Sequence, residues 1–341
     1  MNTKISVIFG AFGLLLTTFA TLPPAHAEDV PPVVRFGYLN GPRPWILGKA
    51  DGSFDKALGT KVQWINFPNG PNEISAFAAG EVDIGRVGSV PTVSGLARKV
   101  PFEVIAVSGV IATSERLIAR NGIASVKALE GHAVGYPAGS TAHYALLAVF
   151  KVHGVDVSKV KQVQLKPGDL YAAWKRGDID AAYVWGPFSH QLEGDGGHQL
   201  LATKDLQAHG YFLFNDYIVR KEFARKYPQL VVKFLQTFAD TVTRYKADPD
   251  GSAAIVAKEL DQDVAAAKDT LAGLIYPPLE EQLGVQWLGD GANTADSVIA
   301  KGFTDTARFL VDLGELRPED VPASFAPSIN SSFIAKAVAH P

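Results

Sequence analysis

Cysteine is absent from this 341-residue chain, and methionine occurs once. Without cysteine the chain has no disulfide framework, no thiolate metal site, no cysteine nucleophile and no lipidated N-terminal cysteine. A large excess of positive or of negative charge is missing too, because the formal net charge is −3 and no basic stripe occurs. These absences argue against nucleic acid as a partner, and we expect no cofactor.

Long apolar runs are also absent after residue 27, so nothing in the mature chain is long enough to span a bilayer. The one such run covers residues 5–20, between Lys4 and the small-x-small sequence Ala25–Ala27. This order is typical of a signal peptide. We expect cleavage after Ala27, which leaves 314 residues with a net charge of −4 in an exported compartment, most simply the periplasm.

Paired histidines are missing as well. The eight histidines are scattered, with neither an HExxH motif nor another metal-ligand spacing, which argues against metal catalysis. The nucleophile pattern Gly-x-Ser-x-Gly is not satisfied around Ser140, so a hydrolase has no support. We therefore predict no catalytic residue and no metal site.

Two similar segments are present, 97 residues apart: Ala78–Gly85 (AAGEVDIG) and Lys175–Ala182 (KRGDIDAA). In each, an apolar helical pattern ends at a glycine, and an acid–aliphatic–Asp turn leads into a short buried strand. Helix–glycine–strand is common in α/β proteins, so the repetition alone leaves the interpretation open. It favours two similar lobes that face one another across a cleft, with the acids as turn residues.

Short strands alternate with helices over much of the chain, which predicts α/β lobes with mostly parallel sheets flanked by helices. We expect crossing strands near Glu115–Asn121 and Asn215–Lys221 to join the lobes. The predicted boundaries are residues 28–120 and 216–341 for lobe 1 and residues 121–215 for lobe 2. From Pro228 to Lys246 the apolar spacing predicts a long amphipathic helix.

Two loops of small residues, Gly85–Pro91 and Tyr136–Tyr144, each leave a strand and enter a helix. Backbone N–H groups at a helix N-terminus attract anions, and both loops add a hydroxyl, from Ser89 and Ser140. Helix capping is an equally ordinary role for these serines, and His143 suits packing or capping as well as ligand contact.

Three further regions carry candidate ligand contacts. Trp185 ends a buried strand, where it lies either in the core or in the cleft. Asp216 stands among apolar neighbours and needs a partner, either backbone or a ligand cation. The loop after the first strand lies where α/β sheets bind ligands, and its candidates are Asn40, Arg43 and Trp45.

The chain closely resembles the taurine-binding periplasmic proteins of bacterial ABC importers, within the wider group of aliphatic-sulfonate and nitrate-type solute-binding proteins. The resemblance runs over most of the mature chain and is strongest in four segments: Gly139–Leu147 (GSTAHYALL), Tyr171–Pro187 (YAAWKRGDIDAAYVWGP), Gly85–Pro91 and Asp216–Arg220. It implies a two-lobed, type II-like periplasmic binding protein. Its expected partners are a small sulfonate and a membrane permease with its ATPase, and we expect a monomer.

The resemblance also implies roles for particular residues. The sulfonate would be held by loop amides and hydroxyls at Gly88, Ser89, Ser140 and Thr141. The ammonium group of taurine would pair with Asp216, and Trp185 would add a cation–π contact.

This chain departs from the family's enteric members at Arg43-Pro44-Trp45 and at Arg86. An added cation near the site favours a more anionic ligand. The alternatives to taurine are another alkanesulfonate, sulfoacetate, a sulfate ester, or a thiamine-precursor pyrimidine, bound or made. The enzymes that make such pyrimidines carry a cysteine-rich motif, which this chain lacks.

Overall fold

The computed structural model describes Met1 and residues 30–339, so the expected signal peptide and its cleavage site lie outside the described residues. The strands are β1 (Val33–Leu39), β2 (Lys61–Phe67), β3 (Ile84–Gly88), β4 (Phe102–Ile111), β5 (Glu115–Arg120), β6 (Ala133–Tyr136), β7 (Lys161–Gln164), β8 (Ala181–Trp185), β9 (Gly197–Ala202), β10 (Phe214–Arg220) and β11 (Leu274–Ile275). The helices are α1 (Trp45–Ala50), α2 (Ser53–Leu58), α3 (Gly70–Ala78), α4 (Ser89–Ala97), α5 (Thr141–Val152), α6 (Pro167–Arg176), α7 (Phe188–Gly194), α8 (Lys221–Lys226), α9 (Pro228–Ala247), α10 (Pro249–Leu260), α11 (Val264–Ala272), α12 (Val298–Asp312) and α13 (Ser332–Ala339).

The strands form two sheets, in the orders β11-β4-β10-β3-β1-β2 and β7-β6-β8-β5-β9. In the first sheet β1 is parallel to β2 and β3, and in the second β6 is parallel to β7 and β8. The other pairs are antiparallel. Two sheets with flanking helices confirm the predicted α/β class, although the strand directions are more mixed than the expected mostly parallel sheets.

The antiparallel pairs arise chiefly from the strands that cross between the sheets. β4 passes into β5 through residues 112–114, and β9 returns to β10 through the 3₁₀ helix Thr203–His209. β4 lies beside β10 in one sheet and β5 beside β9 in the other, so the two crossings are neighbours. The first crossing therefore ends before Glu115, and residues 115–120 belong to the second sheet rather than to lobe 1 as predicted.

The residue that follows α11, Gly273, is hydrogen-bonded to this crossing. The backbone N–H groups of Ala112, Thr113 and Ser114 all donate to the carbonyl of Gly273, at 3.0 to 3.1 Å. A Cβ at Gly273 would lie 2.5 Å from the nitrogen of Ser114, so only glycine permits this approach. The guanidinium of Arg116, two residues after Ser114, forms ion pairs with acids on α7 and α11.

An aromatic core supports the first sheet. The amphipathic helix predicted for residues 228–246 is α9, which buries Phe234 and Phe238 against the sheet. Trp45 and Trp64 stack with ring centroids 5.1 Å apart, and Phe36 packs on both. No helix in the described part of the chain has the length and apolar character needed to cross a membrane.

The repeated sequence segments form equivalent structures in the two lobes. Gly80 and Gly177 follow α3 and α6 in the left-handed region, with φ of 72° and 81°. The carboxylate of Asp83 accepts from the backbone N–H of Arg35, and that of Asp180 from the N–H of Ala133, each at 2.9 Å. These acids tie each turn to the neighbouring parallel strand, which agrees with their interpretation as turn residues.

Candidate functional site

One cavity lies between the lobes and is lined from both. Its cavity volume is about 20 Å³, within about 370 Å³ of empty space that includes open solvent. Its lining residues are Leu39, Asn40, Arg43, Gly70, Arg86, Gly88, Pro91 and Asn215 on the first lobe, with Glu115, Ser140, Thr141 and Trp185 on the second. The cavity stands at the carboxyl ends of β1, β3 and β8, where open α/β sheets bind ligands.

The lobes touch one another around this cavity. A Cβ built at Gly88 would lie 2.9 Å from Cγ2 of Thr141, and one at Gly41 would lie 3.3 Å from the carbonyl oxygen of Gly186. These positions therefore require small residues for the lobes to meet. The structure is a closed arrangement in which a ligand would contact both lobes at once.

A groove at the mouth of the cavity is also shared between the lobes. The first lobe contributes Asn66, Phe67 and Pro68, and the second contributes Lys166, Pro167, Gly168 and Asp169. Leu39, Asn40 and Trp185 line both this groove and the cavity. The groove therefore leads from solvent to the interior.

Two buried arginines from the first lobe enter the cavity. Arg43 is 6% exposed and Arg86 is 3% exposed. The Nη1 of Arg43 donates to the carbonyl of Pro42 at 2.5 Å, whereas its Nε and the Nη2 of Arg86 meet no acceptor among the described residues. In residues 30–339 neither guanidinium has a carboxylate within ion-pair distance. Two unpaired buried cations favour the binding of an anion.

The pKa values of these arginines reflect the same environment. Burial, together with the nearby charge of Arg86, lowers the pKa of Arg43 to about 9. Burial also lowers the pKa of Arg86. A guanidinium stays protonated in proteins, and a bound anion would relieve the mutual repulsion of the two arginines.

Glu115 is the one acid that lines the cavity. It opens β5, and its Oε1 accepts a hydrogen bond from Oγ1 of Thr141 at 2.7 Å, while Oε2 has no partner in the described structure. Burial raises the pKa of Glu115 to about 7, against the opposing effects of Thr141, Arg43 and Arg86. Sequence reasoning missed this residue because it assigned Glu115 to the crossing. The signal was an acid at the start of a strand whose centre, Leu117–Ala119, is apolar.

The two predicted anion-binding loops meet across the cavity. Gly88 precedes the first residue of α4, and Ser140 is the N-cap of α5, where its Oγ accepts from the N–H of His143 at 3.2 Å. Thr141 follows as the first residue of α5 and lines the cavity with Gly88 and Ser140. Both helix N-termini therefore direct their free N–H groups and partial positive charge toward this space.

Four predicted contacts lie outside the cavity lining: Trp45, Ser89, His143 and Asp216. Trp45 is the first residue of α1 and belongs to the aromatic core. Ser89 is buried at the start of α4, and its hydroxyl has no partner within the described residues. His143 accepts from the N–H of Gly139 and stacks on Tyr136, with ring centroids 4.5 Å apart. Burial lowers the pKa of His143 to about 4, so it packs as a neutral ring.

Asp216 requires a correction to its expected placement. Successive side chains of a strand point to opposite faces, and in β10 it is Asn215 that lines the cavity. Asp216 faces α4 instead, where the hydroxyl of Thr92 lies beside it, and burial raises the pKa of Asp216 well above its usual range. In this structure Glu115 lines the cavity and Asp216 does not.

The remaining predicted contacts converge as expected on one cavity: Asn40, Arg43, Gly88, Ser140, Thr141 and Trp185. Trp185 ends β8 and is 6% exposed. Two-lobed α/β architecture, paired crossings and a polar interlobe cavity together define a protein that encloses a small solute.

Comparison with known proteins places the chain in a family. The family described as "Substrate binding domain of ABC-type glycine betaine transport system" matches residues 32–269. The taurine-binding periplasmic protein of Escherichia coli (strain K12) is 33% identical over 288 residues, which cover 83% of this chain and 87% of that protein. The chain therefore belongs to this family of ABC substrate-binding proteins, and the resemblance found in the sequence is confirmed.

Solved structures share the fold. The alkanesulfonate-binding protein SsuA from Xanthomonas axonopodis pv. citri, bound to MOPS, has a TM-score of 0.73 at 22% identity and covers 88% of this chain and 99% of its own. The periplasmic aliphatic sulphonate binding protein SsuA from Escherichia coli has a TM-score of 0.69 at 23% identity, covering 85% and 95%. At these identities the likeness shows the common architecture.

Proposed function

We propose that this chain is a non-enzymatic periplasmic protein that captures a short alkanesulfonate, such as taurine, and delivers it to a membrane permease with its ATPase. The observation that carries the proposal is one interlobe cavity lined by two helix N-termini and two buried guanidiniums, neither of which forms an ion pair with a carboxylate of residues 30–339. The names of the relatives support the sulfonate class, because they bind taurine or aliphatic sulfonates.

The chemistry of a sulfonate suits this lining. Its three oxygens share one negative charge, and each can accept hydrogen bonds from backbone N–H, hydroxyl or guanidinium donors. The backbone N–H groups at the starts of α4 and α5 offer such donors from the two lobes. The hydroxyls of Ser140 and Thr141 already donate to the carbonyl of Pro137 and to Glu115. Arg86 lies on β3, two residues before Gly88. The backbone N–H groups and Arg86 would hold the sulfonate at the junction of α4 and α5.

The ammonium group of taurine would lie toward Glu115 in this proposal. The Oε2 of Glu115 is buried without a partner in the described residues, and a cation there would favour the ionised carboxylate. Trp185 would cover the short carbon chain and add a cation–π contact. Because these groups belong to both lobes, binding would stabilise the closed state.

Titration calorimetry with taurine and ethanesulfonate tests the proposal. We expect both to bind the wild-type protein, and Arg86→Gln to weaken both by about a hundredfold because a charge-assisted contact is lost. Arg98→Gln makes the same charge change at the far, exposed end of α4 and should leave both affinities unaltered. Absence of any binding by the wild-type protein would refute the sulfonate assignment.

A further inference from the structure

The charges that line the cavity exceed what a single sulfonate group needs. Arg43 and Arg86 are both buried, and neither pairs with Glu115, the one acid in the lining. The Oε1 of Glu115 is already engaged by Thr141. Each guanidinium is therefore a buried cation that an anionic partner would stabilise.

The two arginines also belong to different ends of the cavity. Arg86 lies on β3 two residues before Gly88, which packs against Thr141. Arg43 lies in the loop between β1 and α1, and its Nη1 would be 3.3 Å from a Cβ at Gly41, the residue that meets Gly186. Gly186 directly follows Trp185, so Arg43 stands at the Trp185 end.

The donors around Gly88 are sufficient for one tetrahedral anion. The N-termini of α4 and α5 converge there with their backbone N–H groups, and such N-termini bind anions without a further cation. Arg43, at the other end, then has no ion pair with a carboxylate of residues 30–339 and no sulfonate oxygen to neutralise it.

We propose that the preferred ligand is a short sulfonate with a second acidic group, a sulfonated two- or three-carbon carboxylate, whose carboxylate pairs with Arg43. This inference rests on the proposed sulfonate-binding function and narrows it. Planar carboxylate and guanidinium groups match in a two-pronged hydrogen-bonded pair. The protonated form of Glu115 would donate a hydrogen bond to the same carboxylate, a role that its raised pKa supports.

Calorimetry with sulfoacetate, taurine and ethanesulfonate tests this preference in the wild-type protein. Ethanesulfonate is the matched control, since it differs from sulfoacetate by lacking the second acid. At about pH 6 we expect sulfoacetate to bind at least about tenfold more tightly than either other ligand. Equal or weaker binding of sulfoacetate, with the other sulfonates bound, would overturn the inference while leaving the proposed function intact. Failure of all three to bind would overturn the proposed function itself.

The variant Arg43→Gln tests whether the preference for sulfoacetate depends on Arg43. We expect this variant to lose about a hundredfold in sulfoacetate affinity and about fivefold or less in ethanesulfonate affinity. Equal losses for the two ligands would show that Arg43 serves the sulfonate and would contradict the assignment. Thermal unfolding of the unliganded variant checks its fold, and the wild-type ligand series decides the question even where the variant is unstable.

Discussion

The two repeated units, α3–Gly80–β3 and α6–Gly177–β8, share a backbone plan and differ in chemistry. The backbone N–H of Asp83 donates to the carbonyl of Arg35 on the neighbouring parallel strand, and its carboxylate accepts from the N–H of Arg35. Asp180 makes the same two bonds with Ala133. The carbonyl of Asp83 also accepts from the backbone of β10, and that of Asp180 from the backbone of β5. Each acid thus joins three strands at the end of its sheet that lies away from the cavity.

The residues that follow the two strands show where the lobes diverge. In the first unit β3 carries Arg86 and ends at Gly88 before α4, whereas in the second β8 ends at Trp185. The first lobe supplies both cations of the cavity, and the second supplies its acid, its hydroxyls and its aromatic ring. The repeat therefore builds the supporting structure, and specificity lies at the opposite ends of the strands.

The largest expected effect is a difference in unfolding free energy between variants of the two turn acids, Asp83 and Asp180. Asp83 is nearly buried and also pairs with the side chains of Arg35 and Arg220, while Asp180 is about a third exposed and faces only His132. Asp83→Ala would leave the partly buried guanidinium of Arg35 without its carboxylate and Arg220 with only the exposed Glu222. It should cost about 3 kcal/mol of unfolding free energy, against about 1 kcal/mol for Asp180→Ala.

Urea denaturation of both variants measures this difference. Equal losses would mean that the ion pairs around Asp83 add nothing to the shared backbone contacts. Asp305→Ala, an exposed acid on α12 paired only along its own helix, serves as the surface control.

An intermediate effect concerns pH and the acid of the second lobe. Because the pKa of Glu115 is raised to about 7, the side chain is protonated below that value and a carboxylate above it. At a pH below the pKa, the protonated side chain donates a hydrogen bond to an anion. At a pH above the pKa, the carboxylate repels a second acidic group and attracts an ammonium group. The affinity for sulfoacetate relative to taurine should therefore fall about tenfold between about pH 6 and about pH 8.

Calorimetry at the two pH values measures this ratio. The groups that face Glu115 are Thr141, Arg43, Arg86 and, on β8, Tyr183. Threonine does not ionise in this range, arginine stays protonated in proteins, and the pKa of Tyr183 is raised above its usual value. Glu115→Gln should therefore flatten the dependence. A ratio that still changes in that variant would assign the effect elsewhere.

The smallest effect tests how far the units are alike. Gly80 and Gly177 both have positive φ, and a Cβ at either would meet no atom within 4 Å. Alanine at each position should therefore cost only the backbone strain, about 1 kcal/mol. Thermal unfolding of the two variants should show matching shifts, and a clear inequality would show that the turns are not equivalent.

Much of this architecture was predictable because apolar periodicity and turn residues are local signals. Strand β1 and the helix near Pro228 were found within a residue of their observed bounds. The direction of a side chain in a strand buried on both faces is not local, so Asp216 was predicted to face the ligand in place of Asn215. Trp45 was misplaced because α1 has only six residues and carries too little periodicity to be recognised.

The groove at the mouth of the cavity suggests a practical use. Its rims carry exposed residues on both lobes, among them Asn66 and Asp169. Because the chain contains no cysteine, a thiol introduced at either rim would be its only one and would accept a fluorescent dye at a single position. Closure of the lobes would change the polarity around that dye, so the labelled protein would serve as an optical sensor of its own solute.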